Sequence, residues 1–593
     1  MKTRFCKLCL IAALGLLSAL PVRAASRFII LCYHEVVQNA PVADPFAVDT
    51  RGLVNQFEWL RSRGYTFVSM DDIVADREGR RPLPDKAVML SFDDGYRSVY
   101  QHVFPILKLY KAPAVVALVG SWLEAAAGSK IEYEGTGFTR ESFLLPREIK
   151  EMQASGLIEF ANHSYAMHKG LPANPQGNLE PAATSYLYDS GQGRYEDEAA
   201  HRQRASRDLE RNSAAIAKLT GKKPRIMVWP YGSYTRPLVE IASRQGMPIT
   251  LTLGDGINQP ATPLTELRRV LIDASMTLTD FTNEIIVRER EPAGIPPAYT
   301  RAMHVDLDQI YDPDPVRQEA KLGQMLDRVL EMGVNTVYLR AFSDGNGDSE
   351  ADALYFPNRL LPVKADLFNR AAWQLKTRAM VQVYAARPLS TYATPGQSAP
   401  TEEGGVRQTI RAIVEDLSRT SRFAGLLLID DPARPGLAEP GAHDLLNFAD
   451  ELSAIARTYQ PELRSAITVY AGKPGDQGDA TRFSDTLAKA LPHFDYVEVM
   501  TTPGVAVASR GLKDVLATAK THSSRLQQIV FGLPSRNPAT GQPIPSKELT
   551  QAVTELHTQG ARHIAYAPDD IFNDQPRLAT MKRVFSLRSQ PER

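Results

Sequence analysis

From residue 303 onward the chain repeats one kind of unit eight times, and this rhythm limits its fold more than any other feature. Short apolar runs at 303–307, 336–341, 380–384, 426–429, 466–470, 496–500, 529–533 and 563–566 read as strands bounded by polar residues. Each adjacent pair leaves room for a crossover helix, which parallel strands require. Two of the intervening stretches carry an apolar stripe at helical spacing: Leu322, Met325, Leu326 and Val329 in one, Val406, Ile410, Ile413 and Leu417 in the other. Eight β/α units of this length predict a closed (β/α)8 barrel.

The upstream half alternates in the same way, so the fold class is α/β throughout. Candidate strands lie at 28–33, 66–70, 88–92, 114–119, 157–160, 226–229 and 249–253, and Leu53, Phe57 and Leu60 recur at helical spacing between the first two. A stretch from 171 to 198 rich in Pro and Gly breaks the rhythm and is expected to be a long surface excursion near the site. The run Glu291-Pro292-Ala293-Gly294-Ile295-Pro296-Pro297 is the best linker in the chain. At 593 residues the protein is too long for one core. The predicted boundaries are a first domain over 25–290, a linker over 291–300 and the barrel over 301–593.

The first 24 residues have a different character. Lys2, Arg4 and Lys7 precede an apolar run from Leu8 to Leu20, and Val22-Arg23-Ala24 supplies small residues for a signal peptidase, so an export signal cleaved near Ala24 is expected. The run is too short for a membrane span, and none is expected after cleavage. Cys6 and Cys9 would leave with the signal, so Cys32 remains alone and no internal disulfide is predicted. No cysteine stands at the position a lipid anchor would need. Balanced charge, 68 basic against 68 acidic residues, gives no field to steer the protein onto nucleic acid and points weakly to a glycan or a small neutral or cationic ligand.

Chemistry concentrates at strand ends. Val88-Met89-Leu90-Ser91-Phe92 is an apolar strand that delivers Asp93 and Asp94, side by side, to its carboxyl end, where α/β folds keep their sites. Two adjacent acids repel unless a cation lies between them or one carries a proton. Past the run at 157–160 come His163 and His168. On a regular helix they would point in different directions, so a strand end bending into a loop is the geometry that lets them converge on one ion. Two imidazoles and one carboxylate make an open site able to activate water and polarise a carbonyl, and they suit Zn, Ni, Co or Fe. His34 closes the first strand as a possible proton donor, and Trp229-Pro230-Tyr231-Gly232 ends another with an aromatic wall.

These residues resemble the polysaccharide deacetylase family, the carbohydrate esterases with a NodB-like domain. Ser91-Phe92-Asp93-Asp94 is similar to its first motif, and His163-Ser164 with His168 to its second. The order, with His34 ahead of the aspartates, looks like the circularly permuted members, and the closest resemblance is to those that act on biofilm poly-β-1,6-N-acetylglucosamine. Tyr33-His34, Val119-Gly120-Ser121-Trp122, 228–232, 303–308, 356–362 and Pro568-Asp569-Asp570 carry that likeness over most of the chain.

The resemblance implies a distorted (β/α)7 barrel for the first domain. It implies a metal-dependent N-deacetylase with Asp93 as general base, His34 as general acid, and Asp94, His163 and His168 as ligands of a divalent ion; Trp229 and Tyr231 would meet the substrate. It also implies a periplasmic location, association with the outer membrane and an export porin as partner. Deacetylation of peptidoglycan or chitin, or a non-catalytic polysaccharide-binding export factor, are the alternatives. Val228 stands where the wider family has an arginine that tethers the base, which implies slow or partial deacetylation.

In the second domain the resemblance implies a barrel that binds, and in some members cleaves, the partly deacetylated glycan. Asp306, Asp308, Asp430 and Asp431 lie at strand ends and Glu498 within a strand, placing acids where a barrel keeps its chemistry. The family's His-Asp-Asp is here Ile429-Asp430-Asp431, and an aromatic platform is replaced by Ala386-Arg387. Glycan binding is expected, and cleavage is left open.

Overall fold

The computed structural model describes residues 26–38, 46–133, 136–291, 297–344, 351–389, 403–430, 442–471, 477–500, 509–537 and 540–588. The expected export signal, most of the linker and Asp431 lie outside them. The chain forms two compact units.

The first unit runs to His168, takes in Ala205–Ser233 and resumes from Val239 to the linker. Its strands are β1 (Phe28–Tyr33), β2 (Thr66–Phe67), β3 (Ala87–Phe92), β4 (Ala114–Leu118), β5 (Ile158–Asn162), β6 (Ile226–Val228), β7 (Ile249–Leu251) and β8 (Val270–Leu271). The parallel order is β7-β6-β5-β4-β3-β1-β8. Leu267 closes the ring: its N–H donates to the Thr250 carbonyl at 3.0 Å, and its carbonyl accepts from the Thr252 N–H at 2.8 Å. Three residues later β8 pairs with β1 through Leu31↔Val270 and Cys32↔Leu271.

The result is a distorted seven-stranded barrel. The sequence reading counted β2 among its strands and passed over β8. In the structure β2 pairs only with the first half of β3, from Thr66↔Ala87, while β4 takes the second half from Leu90. A two-residue strand offers no periodicity to detect.

Side chains of β1 alternate between two cores, as a strand covered on both faces must. Ile29, Leu31 and Tyr33 pack with Leu53, Phe57 and Leu60 of the helix Thr50–Ser62, whereas Phe28 and Ile30 join Met89, Val115, Ala117 and Val228. Each fully buried residue of this kind contributes roughly 1.5–3 kcal/mol.

In the second unit β9 (Thr300–Asp306), β10 (Thr336–Arg340), β11 (Gln382–Pro388), β12 (Gly425–Ile429), β13 (Arg464–Tyr470), β14 (Tyr496–Met500), β15 (Ile529–Pro534) and β16 (His563–Ala567) form a closed parallel barrel. All eight overlap their predicted runs, with β11 ending four residues later and β9 starting three residues earlier than expected. Leu322, Met325, Leu326 and Val329 are buried against the strands, as are Ile410, Ile413 and Leu417. Inside the ring small and large residues alternate: Ala302, Ala386, Ala466 and Ala565 leave room for Tyr338, Tyr384 and Tyr496. The interior is a packed core rather than a channel.

The stretch Lys169–Arg204, read as a surface excursion, belongs to this second unit. Its two short hairpins, Gly170–Pro172 with Leu179–Pro181 and Tyr188–Asp189 with Arg194–Tyr195, are followed by the helix Glu198–Thr220. Asn369 Nδ2 donates to the Ala173 carbonyl at 3.0 Å and Trp373 Nε1 to the Leu179 carbonyl at 3.1 Å. Ala173, Asn174, Ala182 and Ala183 are buried. Among the described residues no helix is long and apolar enough to cross a membrane.

Candidate active site

The end of β3 turns at once. Asp93 N–H donates to the Tyr33 carbonyl at 2.9 Å, so the ladder to β1 holds its backbone. Asp94 and Gly95 then both take positive φ, 70° and 72°, and reverse the chain. A Cβ at Gly95 would lie 2.9 Å from Leu118 Cδ2, so glycine is needed for space as well as conformation. Both aspartates are buried, Asp94 completely.

The histidine loop is built from its neighbours. Ser164 sits at φ 68°, ending β5 in a sharp bend. The Asn162 side chain accepts from Ser164 N–H at 2.8 Å and from Asn212 Nδ2 at 2.7 Å. Asp208, on the helix Glu198–Thr220, takes the N–H groups of Tyr165 and Ala166 at 2.7 and 2.8 Å. A Cβ on Gly120 would come within 2.3 Å of Asn212 Oδ1 and 2.7 Å of the Tyr165 ring, so this glycine admits the loop.

Asp94, His163 and His168 are thereby brought together, with one ligand atom from each lying within 4.8 Å of the others. Asp94 Oδ1 is 3.4 Å from His163 Nε2 and 3.1 Å from His168 Nε2. His163 Nδ1 lies 2.7 Å from the Val228 carbonyl, which can only accept, so Nδ1 carries the proton and Nε2 presents a lone pair. Among the described residues neither oxygen of buried Asp94 and not His163 Nε2 has a hydrogen-bond partner of acceptable geometry. Burial opposes charge on His163, but Asp93 and then Asp94 outweigh it and raise its pKa. The pocket favours positive charge, and its donor set of one carboxylate and two imidazoles fits a divalent ion.

Asp93 is held differently. Arg269 Nη1 donates to its Oδ1 at 2.7 Å and Cys32 Sγ to its Oδ2 at 3.5 Å. Burial alone would raise this carboxyl; Arg269, followed by His163 and His34, reverses that and holds it below the usual range. Where the wider family has its tethering arginine this chain has Val228, and Arg269, on the segment that closes the barrel, tethers Asp93 in its place. Val228 instead gives its carbonyl to His163. His34 stands beside Asp93, and burial, only partly offset by Asp94 and Asp93, lowers its pKa and keeps it neutral.

Aromatic rings enclose His168: Tyr231 at 4.7 Å, Tyr133 at 4.9 Å and Trp122 at 5.2 Å between centroids. Tyr231 reaches this position at φ 58°. Trp229, expected to meet the substrate, is fully buried and presents no surface to one.

The barrel acids have other partners. The Asp306 side chain accepts from Asp308 N–H at 2.8 Å and pairs with Arg340 at 2.8 Å; burial, opposed by Arg340, pushes its carboxyl up to about 6. Asp308 accepts from Ser343 Oγ at 2.6 Å, Arg340 Nη2 at 2.6 Å, Asp344 N–H at 3.0 Å and Lys364 Nζ at 3.1 Å, and from the Tyr355 hydroxyl. Burial works against this carboxylate, but those donors hold it far below its usual range. Asp430 is buried, its backbone N–H bonded to Thr468 Oγ1 at 2.9 Å. Within the barrel His304 Nε2 meets Glu498 Oε1 at 2.8 Å.

Comparison with known proteins follows the same division. A family model described as polysaccharide deacetylase matches residues 80–250, and one described as hypothetical glycosyl hydrolase family 13 matches 304–405 and 437–567. The poly-β-1,6-N-acetyl-D-glucosamine N-deacetylase of Escherichia coli (strain K12) is 30% identical over 630 residues, spanning 95% of this chain and 93% of that protein. The chain belongs to the poly-β-1,6-N-acetyl-D-glucosamine N-deacetylase family.

Solved structures similar to parts of it include the BpsB deacetylase domain from Bordetella bronchiseptica, with 42% identity, 42% of this chain and 96% of that one covered, and TM-score 0.39. The PgaB (BpsB) glycoside hydrolase domain from the same species is 30% identical, with 49% and 99% covered and TM-score 0.41.

In this member of the N-deacetylase family the motif reading found the two aspartates and both loop histidines. It missed Arg269 and the hydrogen bond from Cys32. Arg269 gives no local signal, since it lies 176 positions from its partner in a segment without motif. His304 was likewise not singled out; a histidine between Met303 and Val305, in a strand facing the barrel interior, was the available clue.

Proposed function

We propose that the protein is an exported, metal-dependent N-deacetylase that removes acetyl groups from poly-β-1,6-N-acetylglucosamine. The observation that carries this is the buried Asp94, both of whose oxygens lack hydrogen-bond partners among the described residues while two imidazoles converge on it. A divalent ion (Zn, Ni, Co or Fe) held by Asp94, His163 and His168 would supply Lewis acidity toward the acetamide carbonyl and a water. The chain does the rest. Asp93, kept ionised by Arg269, takes a proton from the attacking water. His34, neutral at rest and close to Asp93, accepts a proton within the site and passes it to the departing nitrogen. The C–N bond then breaks to acetate and a free amine. Tyr231, Tyr133 and Trp122 shape the wall around the acetyl group.

The barrel is a glycan-binding unit, with Asp306, Asp430 and Asp431 as the acids that would greet sugar hydroxyls and the amines made by deacetylation. Asp308 is already occupied by five donors and plays no part in this reading. Residues 1–24 are an export signal, the working location is the periplasm, and an outer-membrane porin passes the polymer on. The deacetylase occupies 25–290, apart from the 169–204 stretch that belongs to the second unit, and the glycan-binding barrel occupies 301–593.

The test is acetate release from β-1,6-linked N-acetylglucosamine oligomers with and without chelator, with product lengths read by mass spectrometry. Chelator-sensitive release supports the reading. Faster release from β-1,4-linked chitin oligomers or peptidoglycan would transfer it to those substrates, and release untouched by chelator would sink the metal assignment.

A further inference from the structure

Beside the proposed metal centre lies a second convergence of donors with a different chemistry. Cys32 ends β1 one residue from its last position, His34 follows the strand, and Asp93 follows β3, with the strands in register through Cys32↔Ser91 and Tyr33↔Phe92. One ligand atom from each of Cys32, His34 and Asp93 lies within 4.8 Å of the others. The Cys32 thiol points at Asp93 Oδ2, and His34 Nδ1 is buried with no hydrogen-bond partner among the described residues. The deacetylase chemistry uses Asp93 and His34 and asks nothing of the sulfur.

We propose that Cys32, His34 and Asp93 form a second, inhibitory metal site that takes a thiophilic divalent ion such as Zn²⁺ or Cd²⁺. The inhibitory part rests on the deacetylase reading. On binding, the S–H bond gives way to a metal–sulfur bond and the proton leaves to the buffer. Asp93 Oδ2 and an imidazole nitrogen of His34 donate lone pairs to the same ion, so the base and the acid both lose the atoms with which they carry protons. The two donor sets select differently. Asp94 with two histidines offers oxygen and nitrogen, whereas Cys32 adds sulfur and favours Zn²⁺ and Cd²⁺ over Mg²⁺ and Mn²⁺. Arg269, bonded to the other oxygen of Asp93, places a positive charge beside this site. The second ion therefore binds more weakly than the first, and excess metal fills it.

The test uses the full chain with Cys6→Ser and Cys9→Ser, leaving Cys32 as the sole thiol, already loaded with one equivalent of metal. Cadmium chloride is titrated in while sulfur-to-cadmium charge-transfer absorption, bound metal per chain and acetate release are followed. The expected result is one further ion per chain, the charge-transfer band, and loss of acetate release in parallel, with magnesium chloride giving none of these. Adding Cys32→Ser should abolish the band and weaken the second ion by at least roughly tenfold. A second ion that binds without the band, or equal inhibition after Cys32→Ser, overturns the site. If that variant does not fold, absorption in the parent chain still decides, because no other thiol can produce it. Should the parent release no acetate at all, the deacetylase reading fails, while band and stoichiometry still judge the metal site.

Discussion

Asp94 and Asp308 occupy equivalent places, each just past the carboxyl end of a parallel strand, and the structure treats them in opposite ways. Asp94 is fully buried, faces two imidazoles, and neither of its oxygens is hydrogen-bonded among the described residues. Asp308 is partly exposed, and its oxygens are taken up by Ser343, Tyr355, Arg340, Lys364 and a backbone N–H. A strand end makes an acid available for chemistry, but its neighbours decide whether any lone pair is left to use. An orphaned buried carboxylate is costly, by several kcal/mol, unless a cation offsets it. A saturated one is an internal brace.

That contrast can be broken experimentally, and the largest effect should come from its first member. Asp94→Ala is expected to lower acetate release by about three orders of magnitude or more and to remove bound metal, since several kcal/mol of barrier depend on the ion. A variant that keeps its metal and its activity would end the comparison. Next, Asp93→Asn should cost about 10²–10⁴-fold in acetate release with metal content unchanged, which metal analysis and a rate assay measure together.

Arg269→Met sharpens the point from the other side. It leaves Asp93 buried without its counter-ion, an expected loss of about 3–5 kcal/mol in unfolding experiments on this unit. The sign of the pH effect follows from the wild type. Asp93 lies below its usual range there, so its contribution to stability is present above that range and is lost as pH falls through the lowered value. With Arg269 gone, burial dominates, the carboxyl moves up, and the acid limb of the rate profile should shift to higher pH. An unmoved acid limb would show that Arg269 only packs.

Asp308→Asn should cost about 1–3 kcal/mol of stability through lost charge-assisted hydrogen bonds and leave acetate release alone. Because the Asp308 carboxyl is depressed, the deficit should shrink as pH falls below about 4. The smallest effect concerns Asp306, whose carboxyl is pushed up to about 6. If it meets glucosamine amines, oligomer binding should strengthen as pH rises through that value by no more than about 1 kcal/mol, and Asp306→Asn should flatten the dependence. A titration by calorimetry at several pH values reads this directly.

Motif reasoning succeeded where a function depends on a short run. Asp93-Asp94 after an apolar strand, and His163 with His168 after another, marked residues that the structure brings together. It failed where partners come from distant segments. Arg269 was invisible because two residues of strand and one bridge at Leu267 give no periodic signal, although they close the barrel and deliver the guanidinium. Cys32 was counted as a redox clue and is a hydrogen-bond donor to Asp93. The stretch from 171 to 198 looked like an excursion because Pro and Gly interrupt it, yet it packs into the second unit, where burial of its alanines and main-chain hydrogen bonds to Asn369 and Trp373 stabilise it.

By itself the amino-acid order determined the periodic part of this protein: all eight strand repeats of the second unit and six of the seven in the first, the cores they bury, and the clusters of acid and imidazole at their ends. Hydrophobic alternation and local motifs are properties of neighbours in sequence, so they can be read without coordinates. What only the folded chain decided is which polar atoms meet. Whether a carboxylate faces a guanidinium, a thiol, two imidazoles or a full set of donors depends on segments brought together from far apart. That meeting, rather than the residue type, sets the charge each acid carries and the work left for it to do.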